Sequence, residues 1–375
     1  MIYLDNAATS FQKPPSVGEA MRAALQECSS PGRGGYPAAA RAAETAYRCR
    51  EAAAELFHLS DPERVVFTFN ATHGLNLAIK SLVRPGSRVV ISGYEHNAVT
   101  RPLAAADRVE TVVAESPLFD PAAAEQAFRR AVRPGDSAVI CSCVSNVFGT
   151  VLPVERIAAL CRERGVPLIL DASQSAGVLP LDVGQIHPAF VAMPGHKGLY
   201  GPQGTGLLLC GEGVPVTPLL EGGTGSLSLQ QTMPEFLPDR LEAGTHNMPG
   251  IAGLLAGIRF VVDRGIGPIR EHERSLALTA AEGLRHLPGI EVFYRDGLVN
   301  QCGVLSFREQ KRDPEETAAA LAARGIAVRA GFHCAPLAHR TAGTLDTGTV
   351  RVSFSPFNTE RQVYSFLAAM REIRT

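Results

Sequence analysis

One lysine in a glycine-rich turn is the residue around which chemistry could be built. Lys197 stands in Ala192-Met-Pro-Gly-His-Lys197-Gly-Leu-Tyr-Gly201-Pro-Gln-Gly204-Thr-Gly206, between the apolar run 189–193 and Leu207-Leu-Leu209. That context predicts a short turn between two buried strands, with no acidic side chain nearby in sequence. Partial desolvation there would lower the ammonium pKa and make the amine a nucleophile toward an aldehyde. A lone loop lysine is ordinarily just exposed to solvent, so its companions decide. Asp171 ends the apolar stretch Leu168-Ile-Leu170, where a carboxylate with little water around it needs a cation or a donor. A protonated pyridine nitrogen would meet that need and act as an electron sink; the alternative is an aspartate that caps a turn. His96, in Gly93-Tyr-Glu-His96-Asn, could stack on a flat ring and shuttle protons, or could simply flank a helix start. Asn70-Ala71-Thr72-His73-Gly74 offers free backbone amides at a strand–helix junction, a general anion site, without the G-K-[ST] ending of a P-loop. Ser10-Phe-Gln-Lys13 matches the S-x-x-K of some acyl-transfer enzymes, but no S-D-N or K-T-G accompanies it, and that reading is set aside.

These residues need a scaffold, and the chain supplies one. Strand-like runs near 65–69, 88–92, 109–113, 138–144 and 167–171 alternate with helical spacing over 73–82, 97–106, 121–132 and 153–163. This is the signature of βαβ units, a mostly parallel sheet covered on both faces, and hence an α/β fold. Ligands of such sheets sit beyond the carboxyl ends of the strands, where Asn70, His96 and Asp171 all fall. Before that rhythm begins come a short strand with a proline-stopped turn (3–15), helices at 20–28 and 38–57, and a flexible loop at 30–35 that contains Arg33. After 209 the pattern changes. Residues 211–249 are rich in Gly and Pro, and a loop of that length usually serves function. Helices at 250–264 and 268–285 follow. Strands near 290–294, 303–307, 328 and 349–354 and helices at 314–324 and 360–373 then read as a smaller α+β unit.

Composition narrows the function classes. The 375 residues carry a formal charge of -1, with no basic field for nucleic acid. Every apolar run falls short of the roughly 20 residues that a membrane helix needs. The start, Met1-Ile-Tyr-Leu-Asp-Asn, is too polar for a signal peptide. A cytoplasmic protein with reduced thiols is therefore expected. None of the eight cysteines forms a C-x-x-C pair, and no metal site is expected.

Taken together, the motifs resemble those of the pyridoxal 5'-phosphate enzymes of the class V aminotransferase superfamily, in the cysteine desulfurase and selenocysteine lyase branch. The likeness spans nearly the whole chain. It is carried by Tyr3-Leu-Asp-Asn-Ala-Ala-Thr, Asn70-Ala-Thr-His, Glu95-His96-Asn-Ala-Val, Val144-Ser-Asn146-Val-Phe-Gly-Thr150, Asp171-Ala-Ser-Gln174, Gly195-His196-Lys197, Glu242-Ala-Gly-Thr245, His333-Cys334-Ala-Pro and Val350-Arg351-Val-Ser. The resemblance implies a fold type I enzyme with a large cofactor-binding domain (15–250) and a small one (1–14 and 251–375) that carries the Cys334 loop. It makes Lys197 the lysine that holds the cofactor, Asp171 the partner of the ring nitrogen, and His96 the stacking acid–base group. Gln174 and Asn146 become donors around ring and substrate. Ala71, Thr72 and His196 form the phosphate cradle, and Thr245 is lent by a second subunit of a homodimer. Arg351 clamps the substrate carboxylate, and Cys334 is the catalytic thiol.

The implied activity is that of a cysteine desulfurase, which passes sulfur to Cys334 as a persulfide. A selenocysteine lyase, or another class V enzyme in which Cys334 is incidental, are the alternatives. From a different class, a catalytically idle scaffold for a sulfur-trafficking partner also fits the chain. A sulfur or selenium acceptor protein is a further implied partner, with neither nucleic acid nor membrane. One departure stands out: the family commonly has a serine three residues before the lysine, and here Pro194 offers no donor from side chain or backbone. At Cys334 itself, an imidazolium at His333 would lower the thiol pKa.

Overall fold

The computed structural model describes residues 1–32 and 34–374; Arg33, in the loop expected at 30–35, lies outside the described residues. The chain opens with β1 (Ile2–Tyr3), α1 (Pro15–Glu27) and α2 (Pro37–Phe57). The alternating section runs β2 (Val65–Thr68), α3 (Ala71–Leu82), β3 (Arg88–Ser92), α4 (Asn97–Ala104), β4 (Glu110–Ala114), α5 (Pro121–Ala131), β5 (Ala138–Ser142), α6 (Val154–Arg164) and β6 (Leu168–Asp171). It closes with a one-turn helix α7 (Val183–Ile186), β7 (Phe190–Pro194) and β8 (Gly206–Cys210). Helices α8 (Met248–Arg264) and α9 (Ile266–Arg285) follow, then β9 (Ile290–Phe293), β10 (Val304–Glu309), α10 (Pro314–Ala322), β11 (Ile326–Ala327) and β12 (Arg329–Gly331). The last elements are α11 (Pro336–Thr341), β13 (Thr349–Ser353) and α12 (Glu360–Glu372).

The seven strands between 65 and 210 form one sheet in the order β2-β8-β7-β6-β5-β3-β4. All pairs are parallel except those made by β8, which runs antiparallel to both β2 and β7. Strands β5, β6, β7 and β8 are buried at every position, as expected when helices cover both faces. The apolar side chains sort into two clusters. One includes Val139, Leu170, Val191 and Leu209, the other Ile140, Ile169, Ala192 and Leu208. Neighbouring residues of one strand thus enter opposite clusters, as the two-residue period of a strand requires. A second, antiparallel sheet has the order β12-β13-β10-β9, and β1 pairs in parallel with β11. The N-terminus is thereby tied to elements more than three hundred residues away. Helix α8, grouped with the small unit on sequence, packs on α1 and α2 instead.

Sequence periodicity located every strand of the large sheet and missed the two shortest helices, α7 and α11. Six residues or fewer give no helical period to read. The strand expected near 328 is two short strands, β11 and β12, that join different sheets.

Candidate active site

Two glycines set the distance between the acidic turn and the lysine turn. Gly177 has φ +78°, and a Cβ there would lie 2.1 Å from the carbonyl oxygen of Gly198. A Cβ on Gly198 would lie 2.4 Å from the carbonyl oxygen of Ala176. Only glycine allows the two backbones this approach, which brings the turn after Asp171 against the turn of Lys197. Both turns leave carboxyl ends of parallel neighbours: Asp171 ends β6 and pairs with Ala192 of β7.

The result is a cleft at the carboxyl edge of the large sheet. Of the residues singled out on sequence, Ala71, Thr72, His96, Asn146, Asp171, Gln174, His196, Lys197, Cys334 and Arg351 all line it. Lys197 is half-buried, and its amine falls to about 8; desolvation is the main cause, opposed by the nearby Asp171 carboxylate. Partial burial, not the full exposure of an ordinary loop lysine, is therefore the state of this residue. Asp171 is buried, and its Oδ1 accepts from the backbone N–H of Ser173 at 2.9 Å. His96 stands at the start of a helix, as one reading of its position suggested. It caps α4, with Nδ1 accepting from the Ala98 N–H at 3.0 Å, and its ring faces the cleft. That bond leaves Nε2 to carry the proton. Burial holds the ring below its ordinary pKa, with Asp171 acting the other way.

At the anion end, Asn70 caps α3 by accepting from the His73 N–H at 2.9 Å. Ala71 and Thr72 form the first turn, whose amides have no intrahelical partner. His196 shares a 3.0 Å hydrogen bond between Nδ1 and the Thr9 hydroxyl. Burial, then Lys197 and Lys13, hold this imidazole neutral, down to about 4. Pro194 also lines the cleft, so the position from which the family's serine would donate offers only carbons. Thr245 is not brought to the cleft of its own chain. It lines a separate, small cavity with Phe69, His73 and Glu242, on the other side of the start of α3.

Arg351 is buried at 1 % exposure. Its Nη1 donates to the Asn146 carbonyl at 2.8 Å and its Nη2 to Asp5 Oδ1 at 2.7 Å, while Nε is buried without a partner. A guanidinium with an unspent donor at a cleft wall suits a carboxylate ligand. Asn146 and Gln174 each spend one amide hydrogen on backbone, at His333 and Ala7, and keep a second.

Cys334 is exposed; the other seven cysteines are buried or half-buried. Its carbonyl accepts from Asn97 N–H at 2.8 Å, and both His333 and Cys334 adopt left-handed backbone, φ 51° and 56°. Two consecutive non-glycine residues there are uncommon and mark a strained, held turn. The imidazolium expected at His333 does not exist. The ring is buried, neither nitrogen has a partner, and burial together with Arg351, His339 and Arg329 drives its pKa well below the usual value. The cation beside the thiol is Arg329, with Nη2 3.9 Å from Sγ. Arg329 lines the cleft and went unnoticed on sequence; its only signal was a charge on a short strand five residues before the cysteine. Asp5, within the opening motif, was likewise given no role of its own.

An amine of lowered pKa, a buried strand-end carboxylate, a helix start with free amides and an imidazole meet in one cleft at the edge of a mostly parallel sheet, the architecture of a fold type I aminotransferase-like protein. The chain belongs to the Aminotransferase class-V family, which matches residues 2–366. Enzymes of this family generally depend on pyridoxal 5'-phosphate. It is 34% identical over 385 residues to a probable cysteine desulfurase of Methanothermobacter thermautotrophicus, covering 99% of this chain and 94% of that one. It is 32% identical over 384 residues to a probable cysteine desulfurase of Mycolicibacterium paratuberculosis, where all of this chain spans 55% of the relative's length. Among solved structures, the apo cysteine desulfurase of Thermococcus onnurineus superposes with a TM-score of 0.90 at 32% identity, covering 99% of this chain and 94% of that one.

Proposed function

We propose that this chain is a pyridoxal 5'-phosphate-dependent cysteine desulfurase, converting L-cysteine to L-alanine with the sulfur received on Cys334. The observation that carries it is the exposed thiol of Cys334 at the wall of the cleft that holds Lys197. The residues present suit the cofactor. Lys197 offers a partly desolvated amine of lowered pKa, Asp171 a carboxylate for a ring nitrogen, and His96 a flat partner. Ala71, Thr72 and His196 surround the phosphate end. When bound, pyridoxal phosphate supplies an aldehyde for covalent capture of amines and a ring that stores electron density from the substrate's α-carbon.

The chain's own groups do the rest. Arg351 binds the substrate carboxylate through its unspent donor. Arg329 donates from Nη2 toward Sγ at 3.9 Å and holds the sulfur at the cleft wall. Lys197, with a pKa near working pH, can hold or release a proton. The overall exchange balances: cysteine plus the Cys334 thiol gives alanine plus a persulfide on Cys334, one C–S bond breaking as one S–S bond forms, with no external oxidant.

Replacing Cys334 with alanine, and measuring alanine and sulfide released from L-cysteine, is the test. Loss of alanine formation with retained cofactor capture is expected; full activity would remove the desulfurase reading. Turnover of L-selenocysteine side by side distinguishes the selenocysteine lyase, for which the same variant would still release selenium. The homodimer with Thr245 shared across it, and an acceptor protein for sulfur, belong to the same proposal.

A further inference from the structure

Ser10 and Lys13, the S-x-x-K pair without a role in the sequence, grip the peptide that carries Lys197. Lys13 Nζ donates to Ser10 Oγ at 2.6 Å and to the His196 carbonyl at 3.1 Å. The Ser10 N–H donates to the same carbonyl at 3.0 Å, and Ser10 Oγ lies 3.0 Å from it and 3.1 Å from the carbonyl of Lys197. The Thr9 hydroxyl adds a contact to the His196 carbonyl at 3.3 Å. A carbonyl oxygen has two lone pairs, so more donors converge on His196 than it needs, and its place is over-determined.

The turn needs such a hold. Lys197 is flanked by Gly195 and Gly198, which leave the backbone free, and Pro194 contributes no N–H. An acyl-transfer role for the dyad does not fit: Ser10 is 4 % exposed and its hydroxyl is spent on backbone carbonyls. The grip is anchored at its far end. Tyr3, in β1, donates its hydroxyl to the Thr9 carbonyl at 3.0 Å, and β1 pairs with β11 of the C-terminal half. Burial brings the Lys13 amine down to about 8, as befits a group enclosed by the fold.

We propose that Lys13, acting through Ser10 and the His196 carbonyl, is a positioning residue that fixes the aim of the Lys197 amine. The inference rests on the reading of Lys197 as the cofactor lysine. The experiment follows the rate at which purified, cofactor-free protein captures pyridoxal 5'-phosphate covalently, across pH, beside its thermal midpoint. Lys13→Met should slow capture about tenfold at every pH, since small misplacements of a reacting group are costly. The pH of half-maximal capture should stay put, because the charges acting on Lys197 (Asp171, Arg351, Arg329 and Asp5) are untouched. Lys13→Arg, which keeps the donors, should recover most of the rate, and Ser10→Ala should lose part of it. Capture by folded Lys13→Met at the wild-type rate overturns the proposal, as does Lys13→Arg being no faster than Lys13→Met. If Lys13→Met does not fold, Ser10→Ala decides, and an unchanged rate there overturns it equally. Lys197→Ala tests the underlying reading by itself: capture that survives this variant places the cofactor lysine elsewhere.

Discussion

At the residue scale, the amine of Lys197 is set by two opposed effects, and their signs can be separated. Desolvation lowers its pKa to about 8, and the Asp171 carboxylate pushes it back up. Only the neutral amine attacks an aldehyde, so capture of pyridoxal phosphate by cofactor-free protein should reach half its maximal rate near pH 8. Asp171→Asn removes the charge that favours the ammonium, so that midpoint should move to lower pH even as the cofactor is held less firmly. A midpoint that rises, or does not move, would mean that the carboxylate does not act on this amine. The same reasoning shows why one sequence expectation failed. His333 beside Cys334 reads as a cation from sequence, because an unperturbed imidazole titrates close to neutral pH. Its burial and the guanidiniums around it are consequences of tertiary packing, which adjacency in sequence cannot reveal. Arg329 was missed for the complementary reason: its value lies in pointing at Cys334 across a turn.

At the element scale, the loop that carries Thr245 is pinned by a buried ion pair. Glu242 accepts from Arg50 of α2 at both guanidinium ends, 2.8 and 2.7 Å, from the Phe67 N–H of β2 at 2.6 Å, and shares 2.6 Å with His246 Nε2. The Arg50 guanidinium also stands 4.1 Å over the Phe67 ring. Burial works to raise the Glu242 carboxyl, but Arg50 and His246 outweigh it, and its pKa is lowered. Removing one partner leaves the other charged and dry, so Arg50→Ala should cost roughly 3–5 kcal/mol in urea unfolding. The double variant Arg50→Met with Glu242→Leu should recover much of that loss; if it is as damaged as the single variant, the pair is not what holds this loop. None of this was visible in sequence, where Arg50 is one charge in an alanine-rich helix. The large sheet was legible because its inner strands β5 to β8 are buried at every position and read as continuous apolar runs. The ends of those strands could then be searched for polar residues, which is how Asp171 and His96 were found. The Ser10–Lys13 contact was legible as spacing alone, since S-x-x-K does not say which peptide the pair touches.

At the scale of the whole molecule, Thr245 lies away from the Lys197 cleft of its own chain. It sits with Glu242 and His246 around a cavity separated from the Lys197 cleft by the first turn of α3. The rim of that cavity is apolar and open: Phe69, 56 % exposed, stacks on His73 at 4.7 Å between ring centroids, and Leu220 is 51 % exposed. Large apolar groups left uncovered around a polar residue suit burial by a second copy, in which each subunit would lend Thr245 to its neighbour's phosphate site. Mixed subunits distinguish sharing from a local role. Lys197→Ala cannot hold the cofactor covalently, and Thr245→Ala should hold it loosely. In a two-fold dimer that pairs one of each, one site carries both defects and the other carries neither. Unfolding and refolding an equal mixture should therefore return tight cofactor binding at about a quarter of all sites, since about half the dimers are mixed and each has one intact site. If Thr245 served its own subunit, every chain with an intact lysine would also carry the threonine defect, and mixing would restore nothing. Dialysis of the refolded mixture against cofactor-free buffer, with retained pyridoxal phosphate read by absorbance, separates the two arrangements.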